Sequence, residues 1–379
     1  MSDARRRGFL QLVLLAALLV AEVAHAGGGA ERVREVVTRL GSAVMAECGL
    51  PGMSVAVLKK GADDPVSVAF GTACVENGVP MTPAQRIKIG SVTKVFTAAL
   101  VGRLVEQGRL GYETTIARFF PEFPDGRNIT VRHLLNHTSG VVDMLSLPEV
   151  RTNLTREWSA EELIGMAGAQ PRLFAPGTKQ QYSNTGYLML AVITEIVSGK
   201  TYEEEIRDMF HDGLGMESLS IGRDRTIVPH LSCGYSASTD GTLTLPLMAG
   251  LSMAKGTGNL VAAPSDVVRL VNLDRVLKNN VLDSAALTPL RLVGGESATF
   301  RGREEGCRYS GSFLDGCTLF MFDDPAITLV GKLGSFPGFG TAFFYDRQSG
   351  FAVVISVNNE LAISKAIKLG AEILYALRN

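Results

Sequence analysis

The chain has little of what marks a specialised protein. Its 379 residues carry 37 Lys and Arg against 38 Asp and Glu, a formal net charge of −1. With neither a charged tail nor a basic stripe, no nucleic-acid partner is expected. There is no repeat of fixed period and no low-complexity tract, which sets aside solenoids and disordered linkers. Cysteines number five, Cys48, Cys74, Cys233, Cys307 and Cys317. None forms a C-x-x-C pair, and an odd count leaves at least one thiol unpaired if the others are oxidised. Cys307 and Cys317 flank a short loop and suit a bridge in an oxidising compartment; small core residues are an equal reading of all five. The G-x-S-x-G nucleophile elbow is missing, which disfavours the α/β-hydrolase route to ester cleavage.

Long apolar runs are also scarce, and the one at the start is short. Arg5-Arg6-Arg7 precedes an apolar run from Phe9 to Val20, and Ala24-His25-Ala26 follows as a small-x-small cleavage site. Residues 1–26 therefore read as a signal peptide, with a retained anchor as the rival reading; Glu22 interrupts the run before spanning length. Arg6-Arg7-Gly8-Phe9-Leu10 resembles a twin-arginine export signal. The expectation is cleavage after Ala26, no stable membrane span afterwards, and a periplasmic or secreted mature chain.

The stretch that organises the remainder is Lys88-Ile89-Gly90-Ser91-Val92-Thr93-Lys94. A Gly turn delivers Ser91 to the start of a segment whose apolar residues, Val95, Phe96, Ala99, Leu100, Leu104 and Val105, recur at helical spacing up to Gln107-Gly108. Three residues apart on a helix, Lys94 stands beside Ser91, where a deprotonated amine can take the hydroxyl proton. The helix start adds partial positive charge for a developing oxyanion. Ser252-Met253-Ala254-Lys255 repeats the S-x-x-K letters, but Gly256-Thr257-Gly258-Asn259 follows at once and stops a helix, so Ser91 is taken as the nucleophile.

Two further clusters carry chemistry. The turn-rich stretch Pro176 to Tyr187 places Tyr182 and Asn184 in a loop entering a helix, where they can reach a cleft. A phenol near a cationic amine ionises more easily, and an amide can hold both the amine and a substrate carbonyl. Gly331-Lys332-Leu333-Gly334-Ser335 closes a strand, adds a cation to the cleft and lets a substrate lie against the strand edge at Gly334. Lys368-Leu369-Gly370 repeats these letters inside an amphipathic helix and is read as solvated.

Strand-like runs at Met53–Leu58, Val66–Phe70, Ala326–Leu333, Thr341–Tyr345 and Phe351–Val357 are joined by short turns, Gly334–Gly340 among them, and imply antiparallel pairing. Amphipathic helices over Val33–Val44 and Ile363–Leu377 flank them. The fold class expected is α+β: a sheet from both chain ends, about residues 27–114 and 251–379, with a mostly helical insertion at about 115–250 and the site in the cleft between them.

Taken together and in this order, the three clusters resemble the penicillin-recognising serine hydrolases: class C β-lactamases, D-Ala-D-Ala carboxypeptidases and related esterases. Ile129 to Gly140 and Pro337-Gly338-Phe339-Gly340-Thr341 belong to the likeness, which runs over nearly the whole mature chain, 27–379. The resemblance implies a β-lactamase/transpeptidase-like fold and Ser91 as the acylated nucleophile. It implies Lys94 and Tyr182 as a proton-transfer pair and Asn184 as an orienting amide. Lys332 would be the third-motif cation, and the backbone N–H groups of Ser91 and Ser335 the oxyanion hole. Leu333 departs from the pattern, because the usual Thr or Ser hydroxyl there helps hold a substrate carboxylate; β-lactams and D-Ala peptides are thereby put in question, and short neutral esters favoured.

The function expected is an exported serine hydrolase acting on an ester, amide or β-lactam in a small molecule or peptide, without cofactor or metal. The alternative is a penicillin-binding sensor or D-Ala peptidase that is acylated without fast turnover. A zinc hydrolase is the weaker rival: His133 and His137 are four apart on a helix-like stretch, but the glutamate of a zinc-protease helix is absent between them.

Overall fold

The computed structural model describes residues 28–47, 50–237, 242–278, 302–304, 307–309, 311–314, 317–323 and 328–378. The signal-like segment 1–26 and Cys48 lie outside them, as do the side chains of Cys307 and Cys317.

Both chain ends build one antiparallel sheet of eight strands. In chain order these are β1 (Gly52–Lys59), β2 (Val66–Cys74), β3 (Val79–Pro80), β4 (Gly311–Leu314), β5 (Cys317–Asp323), β6 (Thr328–Phe336), β7 (Phe339–Tyr345) and β8 (Phe351–Val357). Across the sheet the order is β4-β5-β6-β7-β8-β1-β2-β3, so β1 pairs with β8 and the N- and C-terminal segments meet at its centre. One face carries Val55, Val57, Ala342 and Ile355 and packs on the terminal helices α1, residues 28–47, and α4, Ile363–Arg378. The other carries Ala56, Leu58, Phe343 and Val354, and packs on the body of helices that holds α2 (Thr93–Glu106) and α3 (Asn184–Ser198). Successive side chains point to opposite faces, and because both faces are covered these strands are buried almost throughout.

Helices at Val131–Leu135, Ala160–Gly168, Asn184–Ser198 and Tyr202–Ile206 fill the segment read as a mostly helical insertion. α2 is buried almost all round, from Thr93 to Gly102, because it lies between the sheet and the inserted helices. No described helix is long and apolar enough to cross a membrane.

Three details differ from the sequence reading. β6 does not stop at Leu333: Ser335 pairs with Gly340 and Phe336 with Phe339, leaving only Pro337-Gly338 in the turn, with Gly338 at φ +87°. The strands β4 and β5 were not expected. A disulfide joins Cys74 at the end of β2 to Cys233, a pairing across 159 residues that spacing does not announce.

Candidate active site

Ser91 sits in a tight turn, Gly90–Val92, that feeds directly into α2. The turn is pressed against β6. Gly90 has φ +52°, and a Cβ on it would lie 2.5 Å from the Ser335 carbonyl oxygen and 2.7 Å from the Ser335 nitrogen. A Cβ on Gly334 would lie 2.0 Å from the Ile89 carbonyl oxygen and 3.0 Å from the Ser91 nitrogen. Two glycines facing each other are therefore what let the backbone of β6 approach the backbone of the serine turn. The Ser91 and Ser335 amides are brought together as a result.

Lys94, the second residue of α2 and three residues after Ser91, is fully buried, with its Nζ 3.0 Å from Ser91 Oγ, 2.7 Å from Asn184 Oδ1 and 2.8 Å from the Thr257 carbonyl oxygen. Burial, with help from the Lys332 charge, pushes its pKa well below that of an ordinary lysine, against a weaker opposing pull from Asp143. Once it has lost its proton, the amine has two N–H donors and one lone pair. Asn184 Oδ1 and the Thr257 carbonyl can only accept, so they take the two hydrogens and the lone pair is left facing the Ser91 hydroxyl. Tyr182 donates its O–H to Ser91 Oγ at 2.9 Å. The serine oxygen thus accepts from the phenol and can donate to the amine, which is the geometry of a nucleophile about to lose its proton.

The expectation that a nearby cation eases ionisation of Tyr182 is corrected. Burial raises its pKa, the bond to Ser91 only partly offsets this, and Asp143 raises it further, so the phenol is held protonated. Asn184 opens α3 and is fixed in turn, donating Nδ2–H to Asp143 Oδ2 at 2.9 Å. Asp143 has its carboxyl pKa raised, chiefly by burial. Lys332, 3% exposed, lies over the Tyr182 ring with Nζ 5.3 Å from its centroid and donates to the Leu333 carbonyl. Leu333 is half-buried and, like Tyr182, packs against the apolar layer between the sheet and the terminal helices.

All seven candidate residues, Ser91, Lys94, Tyr182, Asn184, Lys332, Gly334 and Ser335, thus converge on one place. The decoys do not. Ser252 Oγ accepts the Trp158 N–H at 3.0 Å, while Lys255 pairs with Glu195 at 2.6 Å. Lys368 pairs with Glu372 on the exposed side of α4. The helix at Val131–Leu135 ends before His137, which has a left-handed backbone at φ +60°, so His133 and His137 do not share the helix face a zinc site would need. His137 instead accepts the Ser183 N–H at Nδ1 and lies 4.4 Å, ring to ring, from Tyr182. Burial, followed by the charges of Lys94 and Lys332, keeps its imidazole neutral.

Sequence reasoning missed Asp143, Thr257 and the supporting role of His137. Thr257 lies in the Gly256-to-Asn259 turn that was used only to dismiss Ser252. There Thr97 Oγ1 donates to the Gly256 carbonyl, and Gly256 N–H donates to Asn259 Oδ1. A glycine-rich turn that must come close to another backbone was the available signal.

The Beta-lactamase family model matches residues 37–377 of the chain. A penicillin-binding protein 4 of Amycolatopsis lactamdurans is 28% identical over 354 residues, covering 88% of this chain and 87% of that protein. A penicillin-binding protein of Bacillus subtilis (strain 168) is 29% identical over 250 residues, and the match spans about half of its length, 54%. The teichoic acid D-alanine hydrolase of Staphylococcus aureus is 27% identical over 54% of this chain and 50% of its own. Among solved structures, the D-amino acid amidase of Ochrobactrum anthropi SV3 complexed with L-phenylalanine amide superposes with a TM-score of 0.76 at 25% identity, over 92% of this chain and 99% of that one. By its fold and by a family match over most of its length, the chain belongs to the Beta-lactamase family.

Proposed function

We propose that the protein is an exported serine hydrolase that forms an acyl-enzyme on Ser91 and transfers the acyl group of an ester, amide or β-lactam to water. The observation that carries this reading is the position of Ser91 Oγ, 3.0 Å from a buried Lys94 amine and 2.9 Å from the Tyr182 phenol. Lys94 takes the proton as Ser91 Oγ bonds to the substrate carbonyl carbon, and the Ser91 and Ser335 amides receive the negative oxygen. The bond to the leaving group then breaks as that group takes a proton from Tyr182, and the proton held on Lys94 restores the phenol. Water repeats the sequence, bonding to the acyl carbon and returning the proton to Ser91. Asn184 and Asp143 hold Lys94 in place, and Lys332 faces the leaving-group side.

The relatives' names suggest the substrate classes: penicillin, teichoic acid D-alanine, and D-amino acid amides. Leu333 lacks the hydroxyl that would help Lys332 hold a carboxylate on that side, which favours neutral leaving groups. The Cys74–Cys233 bridge supports export, since disulfides persist in oxidising compartments. The rival, acylation without turnover, gives one equivalent of product per protein and then stops.

The proton assignment has its own test. kcat/KM for a neutral nitrophenyl ester is expected to rise with pH as Lys94 loses its proton, at a pH well below that of an ordinary lysine. No fall should follow near pH 10, because the Tyr182 phenol stays protonated. Lys332 disfavours the charged form of Lys94, so Lys332→Met should raise the Lys94 pKa and move the limb to higher pH. A limb that stays put or moves down would remove Lys94 as the titrating base.

A further inference from the structure

β6 orders the site along a line. Lys332 lies by Tyr182, Gly334 over the Ser91 amide, and Phe336 beyond both, the three sharing one face at about 6.6 Å intervals. A leaving group must face Tyr182, its proton donor, and therefore the Lys332 end. The acyl part must then run the other way, past Ser335 toward Phe336.

There the structure has a cleft of about 710 Å³. Its walls include Phe336, Phe339, Leu251 and Val261, and at its rim Leu245, Leu247 and Met248 are 85%, 65% and 77% exposed. Into this apolar space projects one half-buried cation, Lys88, with its ammonium 4.7 Å from the centroid of the Phe336 ring. The Lys88 backbone pairs with Val261, but the ammonium has neither a hydrogen bond nor an ion pair among the described residues. The other charged side chains on the cleft are Arg223, paired with Glu203, and Asp224 and Arg225, both exposed. Asp224 acts on Lys88 only from a distance, because its carboxylate oxygens accept the Leu251 N–H at 3.0 and 2.9 Å. A half-buried ammonium set against a ring face is only partly satisfied, and an anion arriving within an apolar group would satisfy it further.

We propose that this cleft receives the acyl part of the substrate and selects an apolar acyl group ending in an anion, which Lys88 holds. The inference rests on the acyl-transfer reading of Ser91 and adds the chemistry of the acyl group to it. The charge recognised lies on the acyl side, opposite the leaving-group side where Leu333 has removed a carboxylate partner.

The test compares two chromogenic esters of equal chain length, nitrophenyl hexanoate and the mono-nitrophenyl ester of adipic acid, which differ by a terminal carboxylate. The wild type should prefer the adipate in kcat/KM. Lys88→Met should lower the adipate-to-hexanoate ratio about 10- to 100-fold, mainly through KM, and Lys88→Arg should keep most of it. A wild type that prefers the hexanoate, or a Lys88→Met ratio within twofold of wild type, overturns the proposal. Hydrolysis that survives Ser91→Ala would instead sink the acyl-transfer reading, so the two failures are told apart.

Discussion

Lys94→Met is expected to lower kcat/KM for a nitrophenyl ester by about 10²- to 10⁴-fold, the range a positioned general base supplies. The side chain is similar in length, and removing a buried amine leaves no stranded charge. It does leave Asn184 Oδ1 and the Thr257 carbonyl without their donor, at about 1–3 kcal/mol for each buried group that finds no other partner. Thermal unfolding of the variant separates that cost from the chemical one. A folded Lys94→Met enzyme retaining more than a tenth of the wild-type rate would mean that the Ser91 proton leaves by another route.

Gly334→Val should be as damaging for a different reason. Its Cβ would fall 2.0 Å from the Ile89 carbonyl oxygen, a backbone atom that cannot swing aside, so β6 must move away from the serine turn. Ser335 N–H moves with it, and loss of one oxyanion donor costs about 10²- to 10³-fold in kcat. The sheet itself should persist, because β6 remains paired to β7 along its length. Circular dichroism unchanged from wild type, together with a rate reduced at least a hundredfold, is the expected pair of results. Near-normal activity would show that the close approach of Gly334 to Ser91 is not required.

The parts of this arrangement that were legible in the sequence are those with local signals. Ser91 and Lys94 share one helix start, Tyr182 and Asn184 share one loop, and β1, β7 and β8 are apolar runs bounded by turns. What escaped depends on contacts between distant segments. Thr257 reaches Lys94 from a loop 163 residues away, and Cys74 meets Cys233 only because β2 and the insertion are folded together. The protonation of Tyr182 was read with the wrong sign for the same reason: a neighbouring cation is visible as a letter, whereas burial is a property of the packed structure. The end of β6 was misjudged because glycine and proline were taken as a turn over seven positions, when cross-strand pairing confines it to Pro337 and Gly338.

The central claim is that Ser91 is the residue acylated. Intact-mass spectrometry after incubation with a fluorophosphonate, followed by peptide mapping, addresses it directly. One adduct per chain on the peptide containing Ser91 is predicted, lost in Ser91→Ala and retained in Ser252→Ala. An adduct that maps to Ser252, or labelling that survives in Ser91→Ala, would contradict the account.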